Sequence, residues 1–278
     1  MTELVNLKSI SKSFGGIHAL KGVDFDVRAG EVHALLGENG AGKSTLMRVL
    51  GGEMVPSHGS ILIDGKEVHF RDPRAARDLG IVVIHQELAL APDLTVAENI
   101  FLGQLPPMIS HAGLRKKAGE LIRNLGFDID PARPVGSLAV AHQQVVEIAK
   151  ALSNDIRIIV FDEPTAVLSA QDAMRLHEII RALRARGVGI VYISHRLDEV
   201  FDIADRMTVM KDGEKVATVN RNEVEIPDII RMMVGRPMAA MFPERGSRTI
   251  GDELLRVEQL NAGRMVRDVS FSIRAGEI

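Results

Sequence analysis

Residues 37–45 read Gly-Glu-Asn-Gly-Ala-Gly-Lys-Ser-Thr and are the stretch of the chain most clearly built for chemistry. Gly37, Gly42, Lys43 and Ser44 fit the spacing Gly-x-x-x-x-Gly-Lys-Ser/Thr. Glycines there let the backbone curl so that successive N–H groups converge on an anion. A helix starting near Lys43 would add the positive end of its dipole. The Lys43 ammonium can reach the outer phosphates of a nucleotide, and the Ser44 hydroxyl can ligate magnesium. Gly37, Glu38, Asn39, Gly40, Ala41, Gly42, Lys43, Ser44 and Thr45 are therefore the candidate phosphate-binding residues.

Asp162 and Glu163 follow the apolar run 156–161. Adjacent carboxylates at the end of a buried strand are costly unless they meet a cation or a proton. They could instead cap a helix whose first turn contains Pro164. Beside a phosphate loop, magnesium is the stronger reading. Phe14 is either core filler or a ring placed to stack on a purine, and its position before the loop favours stacking.

The elements that would carry these groups come from the apolar pattern. Residues 31–36 read as a buried strand leading into the loop, and 45–50 as the start of a helix. Residues 4–8 and 23–27 alternate apolar with polar, as half-buried antiparallel strands do. Residues 60–68 read as two strands around an Asp64-Gly65 turn. The short runs 81–84 and 188–193 read as buried strands, ending at His85-Gln86-Glu87 and at Ser194-His195. Polar groups just past such strand ends are where open α/β sheets contact ligands. Segments from 96, 111–125 and 141–152 are helical in pattern and form an insert. Residues 207–210 and 214–219 read as a hairpin around Lys211-Asp212-Gly213. The methionines at 207, 210, 232, 233, 238 and 241 read as packing residues.

Composition narrows the class. The chain has 278 residues, a net charge of −3 and no cysteine. It gives no bulk electrostatic case for nucleic acid, and excludes disulfides and cysteine-based zinc sites. The N-terminus does not read as a secretory signal. No apolar run approaches the roughly 20 residues needed to span a bilayer, so other chains would have to cross it.

The end of the chain repeats its beginning. Residues 23–32, Val-Asp-Phe-Asp-Val-Arg-Ala-Gly-Glu-Val, match residues 269–278, Val-Ser-Phe-Ser-Ile-Arg-Ala-Gly-Glu-Ile. The expected organisation is a first nucleotide-binding domain over 1–240, with its helical insert at about 90–153. A short linker at 241–251 follows, then the truncated start of a second such domain at 252–278. This reads as a fragment of a tandem protein.

On these motifs the chain resembles the ATP-binding subunits of ABC transporters, and most closely those of monosaccharide importers with two fused nucleotide-binding domains. The stretches Gln143–Leu152 and Met233–Arg245 look particularly like the sugar subfamily. The resemblance implies an α/β P-loop NTPase with a RecA-like core sheet, an N-terminal antiparallel β subdomain and an inserted helical subdomain. It implies ATP and Mg2+ as cofactors. It assigns Glu163, His195 and Lys43 to catalysis: Glu163 polarises water, and His195 and Lys43 stabilise phosphate charge. Ser44, Gln86 and Asp162 would hold the metal, and Phe14 would stack on adenine.

The same resemblance implies transmembrane permease subunits as partners, with an extracytoplasmic sugar-binding protein reached through them. A second nucleotide-binding domain, of the same or another chain, would complete the site. Nucleic acid is not among the expected partners, and the expected location is peripheral, on the cytoplasmic face of the membrane. One departure stands out. The family signature Leu-Ser-Gly-Gly-Gln falls on Leu138, Ala139, Val140, Ala141 and His142, which lack its serine. Rival readings are weaker. A soluble tandem ABC ATPase acting on the ribosome would carry a long charged linker and an intact signature. A chromosome or DNA-repair ATPase would carry heptads, zinc cysteines or a basic stripe. A GTPase would need an Asn-Lys-x-Asp motif.

Overall fold

The structure is a computed structural model and describes residues 2–85, 88–103, 110–234, 250–263 and 265–277. Gln86, Met238, Met241 and nearly all of the expected linker lie outside the described residues. The chain divides into two compact units, Met1–Gly235 and Arg236–Ile278.

In the first unit, β1 (Glu3–Phe14) and β2 (Ile17–Arg28) form a long antiparallel hairpin. Both strands run well beyond the segments that alternation marks, because a bulge at Ser9 breaks the period of the pattern without breaking the strand. Strands β4 (His58–Ile63) and β5 (Lys66–Val68) extend this sheet in the order β2-β1-β4-β5. Asp64 and Gly65 make the turn between β4 and β5, with φ of 49° and 76°.

The second sheet is built on β3 (Val32–Leu36), which is buried along its whole length. Around it lie β6 (Ile81–Ile84), β7 (Ile158–Asp162), β8 (Gly189–Ile193), β9 (Arg206–Lys211) and β10 (Glu214–Asn220), in the order β10-β9-β3-β8-β7-β6. The pairs β9–β3, β3–β8, β8–β7 and β7–β6 are parallel, and β10 returns antiparallel through the turn at Asp212-Gly213.

A parallel strand covered on both faces reads as a nearly continuous apolar run. Here alternate residues feed two cores. Ala34, Leu36, Ile159, Phe161, Ile190 and Tyr192 pack toward α4 (His111–Asn124), α5 (Val140–Leu152) and α6 (Ala170–Ala185). Leu35, Ile158, Val160, Val191 and Ile193 pack toward α1 (Lys43–Leu50) and the antiparallel sheet. Met207 and Met210, on β9, are fully buried, one in each core.

Between β6 and β7 the described chain is helical: α3 (Val96–Ile100), α4 and α5. Thr95 caps α3 through a reciprocal capping box with Glu98. That helix is only five residues long and stops at Phe101, short of the span its apolar pattern suggests. Four of the described α-helices lie outside the segments read above as helical: α2 (Pro73–Asp78), α6, α7 (Leu197–Ile203) and α8 (Ile226–Val234).

One buried polar cluster ties the two sheets together. Arg206 of β9 pairs with Asp26 of β2 and with Glu31, each at 2.7 Å. His33 Nδ1 donates to the Asp26 carbonyl at 2.7 Å, and its Nε2 bonds the Thr208 hydroxyl at 2.7 Å. Burial, reinforced by Arg206, pushes the His33 imidazole down to about 3, so it is neutral in this setting.

In the second unit, β11 (Glu253–Ala262) and β12 (Val266–Arg274) form an antiparallel hairpin. Its pairs Leu255–Ile273, Val257–Phe271 and Leu260–Val269 reproduce the first hairpin's Val5–Val27, Leu7–Phe25 and Ile10–Val23. The bulge is reproduced as well. Ser9 and Gln259 both have φ of 49°, and each donates its N–H to a side chain across the strand, Asp24 or Ser270.

Candidate nucleotide site

The loop at 37–45 leaves β3 and enters α1 without a side-chain cap. Its glycines have separate reasons. A Cβ on Gly37 would collide with the Met210 carbonyl, and one on Gly42 would lie 2.7 Å from the Ala19 carbonyl. Gly40 has open space around it but φ of 85°, so there only the backbone demands glycine. The β9–β10 turn braces the loop from behind: Gly213 donates to the Ala41 carbonyl at 3.2 Å and accepts from Lys21 at 2.9 Å. Glu38, Asn39 and Gly40 are exposed at the tip, Ala41 is buried, and Thr45 is half-buried.

Lys43 folds back into the curl of the loop. Its Nζ donates to the Gly37 carbonyl at 2.8 Å and to the Glu38 carbonyl at 3.0 Å. Burial lowers its pKa, while Glu163 and Asp162 pull the other way. The Ser44 hydroxyl, in the first turn of α1, faces the Asp162 carboxylate and favours its charged form. Burial and the neighbouring Glu163 raise the Asp162 pKa, against His85, Lys43 and Ser44. At Asp162 burial thus outweighs the favourable groups around it. A buried carboxylate, a hydroxyl and nearby phosphate oxygens are the donor set of a hard divalent cation. Among the described residues no group of three or more His, Cys, Asp or Glu side chains is placed to hold a metal ion, so such an ion would need phosphate and water to complete its shell.

Glu163 has φ of 50°, a left-handed backbone rare for such a residue, and its N–H donates to the Ile193 carbonyl at 2.9 Å. This turns its side chain toward the neighbouring strand end, where His195 Nδ1 lies 3.3 Å from Glu163 Oε1. Lys43, Ser44, Asp162, Glu163 and His195 therefore meet at one end of the parallel strands. Phe14 stands apart at the tip of the β1–β2 hairpin, 47 % exposed, with Lys12 Nζ 5.5 Å from its ring centre. Just past that turn, Ala19 and Leu20 back onto Gly42.

Two contacts leave no local trace in the sequence. His85, one of the strand-end polar groups marked above, lies near Asp162 and bonds Glu53 at 2.6 Å. A carboxylate on α7, Glu199, accepts from Thr165 and Tyr192. Both assemblies join residues far apart in the chain, and no local spacing marks them. In the segment that resembles the family signature, Ala139 is the residue before α5 and supplies no side-chain cap. Leu138 is buried and Val140 is exposed.

A glycine-bent loop between a central parallel strand and a helix, with an acidic pair on a nearby strand, defines a P-loop nucleotide-binding fold. The sequence pattern of the ABC transporter family matches residues 20–166, and the chain belongs to that family. It is 78 % identical over its whole length to a ribose import ATP-binding protein of Rhizobium meliloti (strain 1021), spanning 55 % of that protein. It is 56 % identical to a ribose import ATP-binding protein of Chelativorans sp. (strain BNC1), again spanning 55 % of it. The chain thus covers about half the length of the curated relatives it matches. Among solved structures, it resembles a nucleotide-free cassette of an ABC transporter, with a TM-score of 0.73 and 28 % identity over 86 % of this chain and 97 % of that one. A cassette in its ADP conformation matches with a TM-score of 0.73 and 27 % identity, over 85 % of this chain and all of the other. These likenesses agree with the P-loop architecture and the ABC resemblance read from the sequence.

Proposed function

We propose that the chain binds ATP with magnesium on the 37–45 loop and hydrolyses it to energise import of a monosaccharide, a pentose or hexose. The observation that carries this reading is the convergence of Lys43, Ser44, Asp162, Glu163 and His195 at one strand end. The relatives' names point to ribose as the first sugar to test. None of the described helices is long and apolar enough to cross a membrane. The proposed partners are therefore transmembrane permease subunits, an extracytoplasmic sugar-binding protein reached through them, and a second nucleotide-binding domain. The proposed location is the cytoplasmic face of the membrane.

In this reading the loop amides and Lys43 hold the outer phosphates, and Lys43 exchanges its two carbonyl partners for phosphate oxygens. Ser44 and Asp162 hold magnesium, with Gln86 as a further ligand. The ion, when bound, neutralises phosphate charge and favours departure of the leaving group. Glu163 accepts a hydrogen bond from the attacking water, and His195 donates to the phosphoryl oxygens as their charge grows. Phe14 stacks on the base.

The test is ATP turnover and ribose uptake by the full-length protein reconstituted with its permease. Both should require magnesium and be lost in Lys43→Ala. Uptake that persists in Lys43→Ala would defeat the reading.

A further inference from the structure

Glu163 and His195 belong to different strands, yet their separation must be held for them to share a water and a phosphoryl group. The backbone of Glu163 is itself strained, at φ of 50°. Such a conformation is costly and persists only where its surroundings hold it, here through the Glu163 N–H bond to the Ile193 carbonyl and the turn that follows.

Glu199 is the third residue of α7, the helix that begins just after His195. Its Oε2 accepts from the Thr165 hydroxyl at 2.6 Å and from the Tyr192 hydroxyl at 3.2 Å, and its Oε1 pairs with the Arg196 guanidinium. The side chain of Glu199 is only 11 % exposed, Thr165 is 2 % and Tyr192 0 %. A carboxylate so placed is stable because its lone pairs are filled. Its three partners are not scattered. Thr165 sits two residues after Glu163, in the turn that Ala166 closes by donating to the Glu163 carbonyl at 3.2 Å. Tyr192 precedes His195 by three residues on β8, and Arg196 follows it directly. Burial and the Glu199 charge hold the Tyr192 hydroxyl above its ordinary range, so it remains a donor.

We propose that Glu199 is a positioning residue for the Glu163–His195 pair: one carboxylate ties the turn after Glu163 to the strand and helix that flank His195. This rests on the proposed function, in which both residues act on ATP. Glu199 touches neither nucleotide nor metal. Its contribution is that the water-directing carboxylate and the imidazole keep one separation. Misplacement of reacting groups by about 1 Å can cost on the order of 100-fold in rate.

The experiment compares ATP turnover in the full-length wild type with Lys43→Ala, Glu199→Ala, Glu199→Gln, Thr165→Val and Thr165→Ser. We expect Glu199→Ala to lower kcat by about 10–100-fold, with KM for ATP and equilibrium binding of a fluorescent ATP analogue within about twofold. Thr165→Val should lower kcat several-fold, and Thr165→Ser, which keeps the hydroxyl, should restore it. Glu199→Gln keeps an acceptor oxygen and should fall between Glu199→Ala and wild type. The double variant Thr165→Val with Glu199→Ala should be no slower than Glu199→Ala alone, since both break one tie.

Unchanged kcat in Thr165→Val, or an equal loss in Thr165→Ser, would overturn the inference. So would a loss in which KM rises as kcat falls, since the nucleotide contacts would then be disturbed along with the pair. If Glu199→Ala fails to fold, the Thr165→Val and Thr165→Ser pair decides. A wild type whose turnover survives Lys43→Ala defeats the function reading, and this inference falls with it. Turnover that needs Lys43 but ignores both Thr165 and Glu199 defeats the inference alone.

Discussion

His195 Nδ1 lies 3.3 Å from Glu163 Oε1, and the two residues stand just past the Asp162–Ile193 pairing of adjacent parallel strands. In the proposed function the carboxylate accepts from water and the imidazole donates to the phosphoryl group. Glu163→Gln keeps size and polarity but removes the stronger acceptor. ATP turnover should fall by about 100-fold or more, with nucleotide affinity within a few-fold. Single-turnover kinetics beside equilibrium binding measure the two separately. A wild-type rate in this variant would remove Glu163 from the chemistry.

The loop glycines should respond unequally to alanine. At Gly40 only the backbone is strained, since a Cβ meets nothing within 4 Å. The expected loss is about 1 kcal/mol. At Gly42 a Cβ would also press the Ala19 carbonyl and the Leu20 side chain, 2.7 and 2.9 Å away. The expected loss is about 2–4 kcal/mol, with nucleotide binding impaired. Chemical denaturation of the two variants tests the ranking, and equal losses would contradict it.

Phe14 is half-exposed and lies outside both cores. Phe14→Ala should therefore change stability by less than about 0.5 kcal/mol. Loss of base stacking should weaken ATP binding by about 1–3 kcal/mol, roughly 5–150-fold. The same variant should bind inorganic triphosphate as well as wild type does. Isothermal titration with both ligands separates stacking from phosphate contacts.

Asp162 carries a pH signature. Burial first, then Glu163, raises its pKa in the fold. A raised acid pKa means that the folded chain holds the proton more tightly than the unfolded one. Stability without metal should therefore decline as pH rises from the ordinary carboxylate range through the raised value, and stay low above it. Asp162→Asn removes this penalty, so its melting temperature without metal should exceed that of wild type at neutral pH. The advantage should vanish in acid, where Asp162 is protonated in both states. Added magnesium and nucleotide should stabilise wild type and not the variant. A variant that melts below wild type at pH 7 would refute the electrostatic account.

Ala139 has φ of −60° and ψ of 149°, the backbone of a helix N-cap, but no side chain to act as one. Ala139→Ser should stabilise the chain by about 1 kcal/mol by accepting from an amide in the first turn of α5. Thermal denaturation measures this directly. A destabilised variant would show that the amides already have partners.

Local chemistry was the legible part of the sequence. The loop at 37–45, the pair Asp162-Glu163 and the strand ending at His195 could be found because each is a short pattern with its own physical demand. The order of the six-stranded sheet was not legible, since β3 pairs with β8 and β9 from the far end of the unit. The lengths of β1 and β2 were hidden by the bulge at Ser9, where alternation fails but pairing continues. The tie from Thr165 to Glu199 was invisible for the same reason as the sheet order. A hydrogen bond between residues 34 positions apart leaves no periodic trace.

The two bulged hairpins differ at one instructive place. Gly22 stands just before Val23 with φ of 68°, and Asp268 stands just before Val269 with φ of 52°. Glycine enters that region freely, while aspartate is one of the few other residues that tolerate it. The two hairpins thus share a bend while differing in the residue that makes it, so at this position the main-chain shape can be matched by two different side chains.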